Sequence, residues 1–410
     1  MHAAPLKSKA PVVRNGNLFQ LLVLTLVHFV VDFYGGLTVP IAEPTLTSHL
    51  VVGLPTVAFL IGGCALLINV IQPFSQWFLP SSGAPALLLI APLMAACVAL
   101  IGLSGAFWIV AALLIVSAIG IGVVHPEGAL AAHSLAGSRK GLGISFFMAG
   151  GYLGFSTGSL TAGLWTEFHD QGLAHFWLLI LPALVTVALV ALSRLHRIKG
   201  HMGPLTAVEN DSEIPLVLVL LLTFCIAVTM CLLTRFLPIL LVRRFAGTDA
   251  QGWAGTTIFV TGVSGVTGMF LWGHLADRIG SGRIISMVLP LSLPFLWLLF
   301  RIDSIFMAPV WALGIGFTLG AVFPLCVLLA RHAGGLPQRL RMGLAIGGAW
   351  GTGELVFMLG GKYVGRFPAG MAEPVVSVLN LCLLLVITAT SAAVIVSRIE
   401  RRAEGADRVR

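Results

Sequence analysis

Long apolar runs alternate with short polar segments along the whole of this 410-residue chain. The runs place membrane spans at 18–40, 54–77, 84–104, 106–132, 141–166, 173–194, 215–241, 253–274, 282–301, 305–330, 342–364 and 374–398. Each is near the roughly 20 apolar residues that carry a helix across a hydrocarbon core. Backbone in lipid must satisfy its own hydrogen bonds, which leaves helices or a closed barrel. These runs are continuous rather than alternating at period two, so the pattern predicts an all-α membrane protein of twelve transmembrane helices.

The longest polar interruption, 195–214, holds Arg197, Lys199, Glu209, Asp211 and Glu213. It divides the chain into a tail at 1–17, a six-helix bundle at 18–195, a central loop at 196–214, a second six-helix bundle at 215–398 and a tail at 399–410. The halves read as copies. Gly120-Ile121-Gly122 recurs as Gly314-Ile315-Gly316. Gly141, Leu142, Ile144, Gly151, Leu153 and Gly158 of span 5 recur, at an offset of 202, as Gly343, Leu344, Ile346, Gly353, Leu355 and Gly360 of span 11. Two six-helix repeats around a central loop are a transporter architecture. The glycine stripes themselves are read as close-packing surfaces.

Composition agrees with a lipid solvent. The chain is 58% hydrophobic and 10% charged, with a mean hydropathy of +1.00. An ordinary soluble domain is about 25% charged. The net charge of +8 lies in short segments between spans, which argues against a nucleic-acid partner and for the positive-inside rule. With both termini cytoplasmic, the inner segments collect Lys7, Lys9, Arg14, Arg139, Lys140, Arg194, Arg197, Lys199, Arg278, Arg283, Arg331, Arg339, Arg341 and the Arg residues from Arg398 onward. The outer segments keep only Arg243, Arg244, Arg301, Lys362 and Arg366. This predicts a multi-pass protein of the inner or plasma membrane. All six cysteines fall in apolar runs and none forms a CxxC, so neither disulfide nor metal is expected.

The sharpest motif is Gly273-His274-Leu275-Ala276-Asp277-Arg278-Ile279-Gly280-Ser281-Gly282-Arg283, between spans 8 and 9. It resembles the G-x-L-a-D-R-x-G-R-[KR] loop of the major facilitator superfamily. Gly273, Asp277, Arg278, Gly280 and Arg283 are accordingly expected to form a gating loop, with Asp277 near a helix N-terminus or paired with an Arg. The corresponding first-half segment, Gln72 to Gly83, carries no charge. His28-Phe29-Val30-Val31-Asp32-Phe33-Tyr34, His125-Pro126-Glu127-Gly128 and Gly150-Gly151-Tyr152-Leu153-Gly154-Phe155 resemble segments of the fosmidomycin-resistance family. That resemblance implies a proton-driven exporter of small toxic compounds. Val124 stands where that family has Phe, and Ser159 follows Gly158 where drug–proton antiporters carry Gly-Pro, so direction stays open.

The residues themselves add a second line. The informative ionisable side chains, those at membrane depth, are His28, Asp32, His125, Glu127, Arg235 and Glu354. Facing lipid, an Arg or Asp costs ~2.5–3.5 kcal/mol, so the set must face itself or a wet cavity. His28 and Asp32 share one helical face at i, i+4 and form either a proton relay or a satisfied packing pair. Pro126 should kink span 4 beside His125 and Glu127, which are coupling, gating or structural groups. Arg235 is an anion handle, a salt bridge to Asp32 or Glu354, or a snorkelling cation. Glu354 and its repeat counterpart Tyr152 are candidates for the cavity wall, with Asn69, Gln72 and Trp350 beside them.

There is no Walker-A sequence, zincin helix or nucleotide domain, so no cofactor, metal or enzymatic role is expected. The reading is a monomeric secondary transporter whose partners are a small molecule, protons and the lipid bilayer. Proton-coupled export of an anionic or amphipathic compound comes first; proton-coupled uptake of an organic anion and lipid movement are the alternatives.

Overall fold

The computed structural model describes residues 15–78, 84–136, 140–168, 172–197, 214–246, 249–336 and 338–409. Twelve long helical rods follow one another: α1 (Asn15–Leu37), α2 (Leu54–Phe78), α3 (84–103), α4 (Phe107–Leu135), α5 (Lys140–Phe168), α6 (176–192), α7 (Leu216–Arg244), α8 (Ala250–Ile279), α9 (Ser281–Phe300), α10 (305–332), α11 (338–364) and α12 (Glu373–Val409). Among the described residues nine are long and apolar enough to cross a membrane, and α3 and α6 are shorter apolar rods. The twelfth, α5, is diluted by its glycines, serines and threonines. The predicted twelve-helix, two-bundle fold is the one observed.

The pseudo-repeat is visible in the packing. In the first half, Gly150, Gly154 and Gly158 of α5 lie against the backbone of Thr25, Phe29 and Phe33 in α1. In the second, Gly353 and Gly360 of α11 lie against Cys231 and Phe236 of α7. Small residues let helix backbones approach, and lipid offers no hydrophobic push to do it otherwise. The two halves meet along α5 with α8 and α2 with α11. Gly255 of α8 sits on Ser159 and Leu160 of α5, and Gly62 of α2 on Phe357 and Met358 of α11.

Several boundaries differ from expectation. Span 12 was expected to stop at 398, followed by a tail; the helix instead continues to Val409. The added turns are polar, and helix propensity extends them beyond the apolar core. The uncharged segment from Gln72 begins inside α2, which is helical as far as Phe78, one residue past the expected end of span 2, and 79–83 lies outside the described residues. So do 1–14 and 198–213, which hold most of the expected N-terminal tail and central loop. Pro126, where a kink is expected, lies inside α4, which continues through it to Leu135. One missing donor in a long helix leaves the flanking bonds intact.

Candidate functional site

A cavity of about 270 Å³ lies between the halves. His28, Asp32, Asn69, Gln72, His125, Tyr152, Arg235, Trp350 and Glu354 all line it. Sequence reasoning placed every one of these residues in the candidate site. Glu127 is not among the lining residues. It stands two positions after His125, about 200° further around the helix, and so projects elsewhere.

On the first-half wall, Asp32 stands between two imidazoles. His28 Nε2 is 3.2 Å from one carboxylate oxygen, and His125 Nε2 is 3.4 Å from the other. Helical spacing sets the first pair, whereas only the packing of α4 against α1 supplies the second. Each ring is oriented from behind: His28 Nδ1 is 2.6 Å from Phe147 O, and His125 Nδ1 is 2.9 Å from Ile121 O. Carbonyls accept and never donate, so both Nδ1 atoms carry protons, and both Nε2 atoms are aimed at the carboxylate. His28 is 2% exposed, stacks on Phe147 at 4.0 Å, and its Nε2 has no aligned hydrogen-bond partner despite the short distance.

Two glycines make room for this arrangement. A Cβ on Gly151 would lie 2.5 Å from His28 Nε2 and 2.6 Å from an Asp32 oxygen. One on Gly128 would meet the Phe147 ring that backs His28. The sequence marked Gly151 as a packing position, without the cluster that it accommodates.

The second-half wall carries the opposite arrangement. Arg235 of α7 donates to Glu354 of α11 through Nη2 at 2.8 Å and Nε at 3.3 Å. Of the readings open for Arg235, the pair with Glu354 is the one found. Both groups are at least nine-tenths buried, and Arg235 also stands 5.8 Å above the Phe357 ring. Both bonds use one carboxylate oxygen. Arg235 Nη1 and Glu354 Oε2 are left buried without partners. Nearby, Trp350 makes an edge contact with Phe323 at 5.5 Å, and Asn69 donates to Ala65 O within its own helix.

One family model, the Major Facilitator Superfamily, matches residues 24–352. The chain belongs to the major facilitator superfamily. It is 29% identical over 267 residues to the fosmidomycin resistance protein of Escherichia coli (strain K12), a match covering 62% of this chain and 64% of that protein. It is 26% identical over 373 residues to an uncharacterized MFS-type transporter, YfnC, of Bacillus subtilis (strain 168), covering 86% and 88%. Among solved structures, a bacterial homolog of the human lysosomal transporter Spinster, inward-facing and unoccupied, superposes with a TM-score of 0.69 at 12% identity, covering 94% of this chain and 98% of that one. A bacterial homologue of the human drug peptide transporters PepT1 and PepT2 gives 0.68 at 13%, covering 94% and 99%. These identities speak for a shared fold. Superfamily membership makes this chain a multi-pass membrane transporter rather than an enzyme.

The loop expected to gate joins α8 to α9. Asp277 and Arg278 are exposed at the end of α8. Gly280 turns the chain with φ +94°, which only glycine adopts readily, and its N–H closes on Ala276 O at 2.9 Å. The carboxylate at the N-terminus of α9 belongs to Glu400 of α12, which accepts from Gly282 N–H at 3.0 Å. It lies on the stretch expected to be a tail, where sequence reasoning assigned it no role.

At the opposite end of the molecule, Glu43 and Arg243 form a two-bond ion pair between the halves, 3.1 Å in each bond, both side chains buried. Arg243 Nη1 also donates to Met371 O, and Gln251 of α8 bonds Pro40 O and Thr45 Oγ1 of the first half. The sequence counted Arg243 only as a loop charge.

Proposed function

We propose that this superfamily transporter exports a small anionic or amphipathic compound in exchange for protons, by alternating access. The observation that carries the reading is one cavity with a proton-accepting cluster on one half and a buried, incompletely bonded Arg–Glu pair on the other. Each His–carboxylate contact has room for one proton between Nε2 and oxygen. The cluster therefore holds none, one or two, and its net charge runs from −1 to +1. Arg235, whose Nη1 is buried and unbonded with the halves in this position, is the proposed partner of an anionic group on the compound once the halves move. An occupant on either wall changes the field felt by the other and biases the halves between two states.

The Lys and Arg distribution assigns the Asp277 end to the cytoplasm and the Glu43 end to the outside. On that assignment Glu43, Arg243 and Gln251 close the outer entrance. The energy is sufficient in principle, since a charge crossing 100 mV releases ~2.3 kcal/mol. The E. coli relative supplies the first compound to try.

Everted vesicles with an acidified lumen should accumulate fosmidomycin when they contain this chain, and should stop when the gradient is collapsed. Accumulation only in right-side-out vesicles would instead establish uptake. Uptake that ignored the gradient, or an Asp32→Asn variant that accumulated normally, would remove the proposed coupling.

A further inference from the structure

We propose that His28, Asp32 and His125 form a binding site for one divalent transition-metal ion of the zinc, cobalt or nickel type. Their ligand atoms all lie within 4.8 Å of one another. Four-coordinate zinc binds imidazole nitrogen and carboxylate oxygen at roughly 2.0–2.2 Å, which places neighbouring ligands roughly 3.3 Å apart. The two histidine-to-carboxylate distances are 3.2 and 3.4 Å. The site needs little adjustment along those two edges.

Three further observations point the same way. His28 and Asp32 stand one helical turn apart on α1, a spacing that lets two ligands from one helix face a single ion. Both histidines hold a backbone carbonyl with Nδ1, the support that metal-binding imidazoles characteristically have, and it leaves both Nε2 lone pairs turned inward. His28 Nε2 is buried and lacks an aligned hydrogen-bond partner, so a strong acceptor atom stands unused at the centre of the cluster. Two imidazoles and one carboxylate select borderline transition ions over magnesium or calcium, which prefer all-oxygen sets. Asp32 and His125 also line the cavity, so the remaining coordination position is open to water or to an anionic occupant. The inference goes beyond the transport reading and stands or falls without a gradient.

The test uses the purified full-length chain carrying an affinity tag without histidines, in detergent, titrated with cobalt(II) chloride. One cobalt should bind per chain, with the enhanced visible absorption of a low-coordinate nitrogen–oxygen site. His125→Gln and Asp32→Asn, each shown monodisperse, should weaken binding at least about tenfold, while His49→Gln leaves it unchanged. Equal affinity in wild type and both cluster variants would overturn the proposal, as would an absence of binding to the folded wild type. X-ray absorption on the wild type gives an answer independent of any variant. Two imidazoles with oxygen donors are expected, and a sulfur donor or a single imidazole refutes the site.

Discussion

Arg235 and Glu354 each carry a charge where almost no water reaches, so each depends on the other for compensation. Removing one partner of such a pair costs about 3–5 kcal/mol because the survivor is left buried and uncompensated. Arg235→Gln and Glu354→Gln should therefore each lower the thermal midpoint in detergent, and the double variant should recover part of the loss. Additive losses in a melting experiment would show that the pair is not coupled. Gly151 makes a second residue-scale case. An alanine methyl there would occupy space against His28 Nε2 and Asp32, so the cluster must spread. On the proposed export of fosmidomycin, Gly151→Ala should reach the membrane at normal levels yet confer markedly less tolerance of that compound than wild type, read as the inhibitory concentration for expressing cells. Undiminished tolerance would mean that the cluster's spacing is not needed.

At the scale of elements, the halves are held by contacts of two kinds. Small-residue packing along α5 with α8 and α2 with α11 provides smooth surfaces on which helices can pivot. The Glu43–Arg243 and Gln251 bonds provide a discrete tie at one end. A pivot with a tie at one end has two natural positions, and loosening the tie should favour the other. With Thr38→Cys as a reporter on the cavity wall, Glu43→Gln should raise the rate of labelling by an impermeant maleimide added outside intact cells. An unchanged rate would rule out the latch. The junction of α8 and α9 is a different device, a one-residue turn at Gly280 fastened by Glu400 from α12. Alanine at Gly280 must adopt a backbone conformation that costs an L residue ~1–3 kcal/mol, which a thermal melt should register.

Over the whole molecule, two bundles of matching shape carry unlike chemistry. The first half presents imidazoles around a carboxylate, and the second presents a guanidinium bonded to a carboxylate. If protons act on one wall and the compound on the other, the two steps should separate by mutation. Asp32→Asn proteoliposomes should still exchange labelled for unlabelled compound across the membrane, while uphill accumulation driven by a pH gradient is lost. Loss of both activities in a correctly folded variant would place the compound on the Asp32 wall as well.

Much of this was readable in the sequence, because hydropathy and helical period are local properties. The apolar runs determined twelve spans, the repeat offset paired Glu354 with Tyr152 on the cavity wall, and i, i+4 spacing put His28 beside Asp32. Rotation about a helix axis, and the partner chosen across the gap between helices, are set by packing. Only the tertiary structure brought His125 to Asp32 and left Glu127 off the wall. It also chose Glu354 for Arg235 among the partners open to it, and joined Glu43 to Arg243 from segments that looked like ordinary loops. Membrane burial dictated that these charges find company, and the geometry of packed helices decided whose.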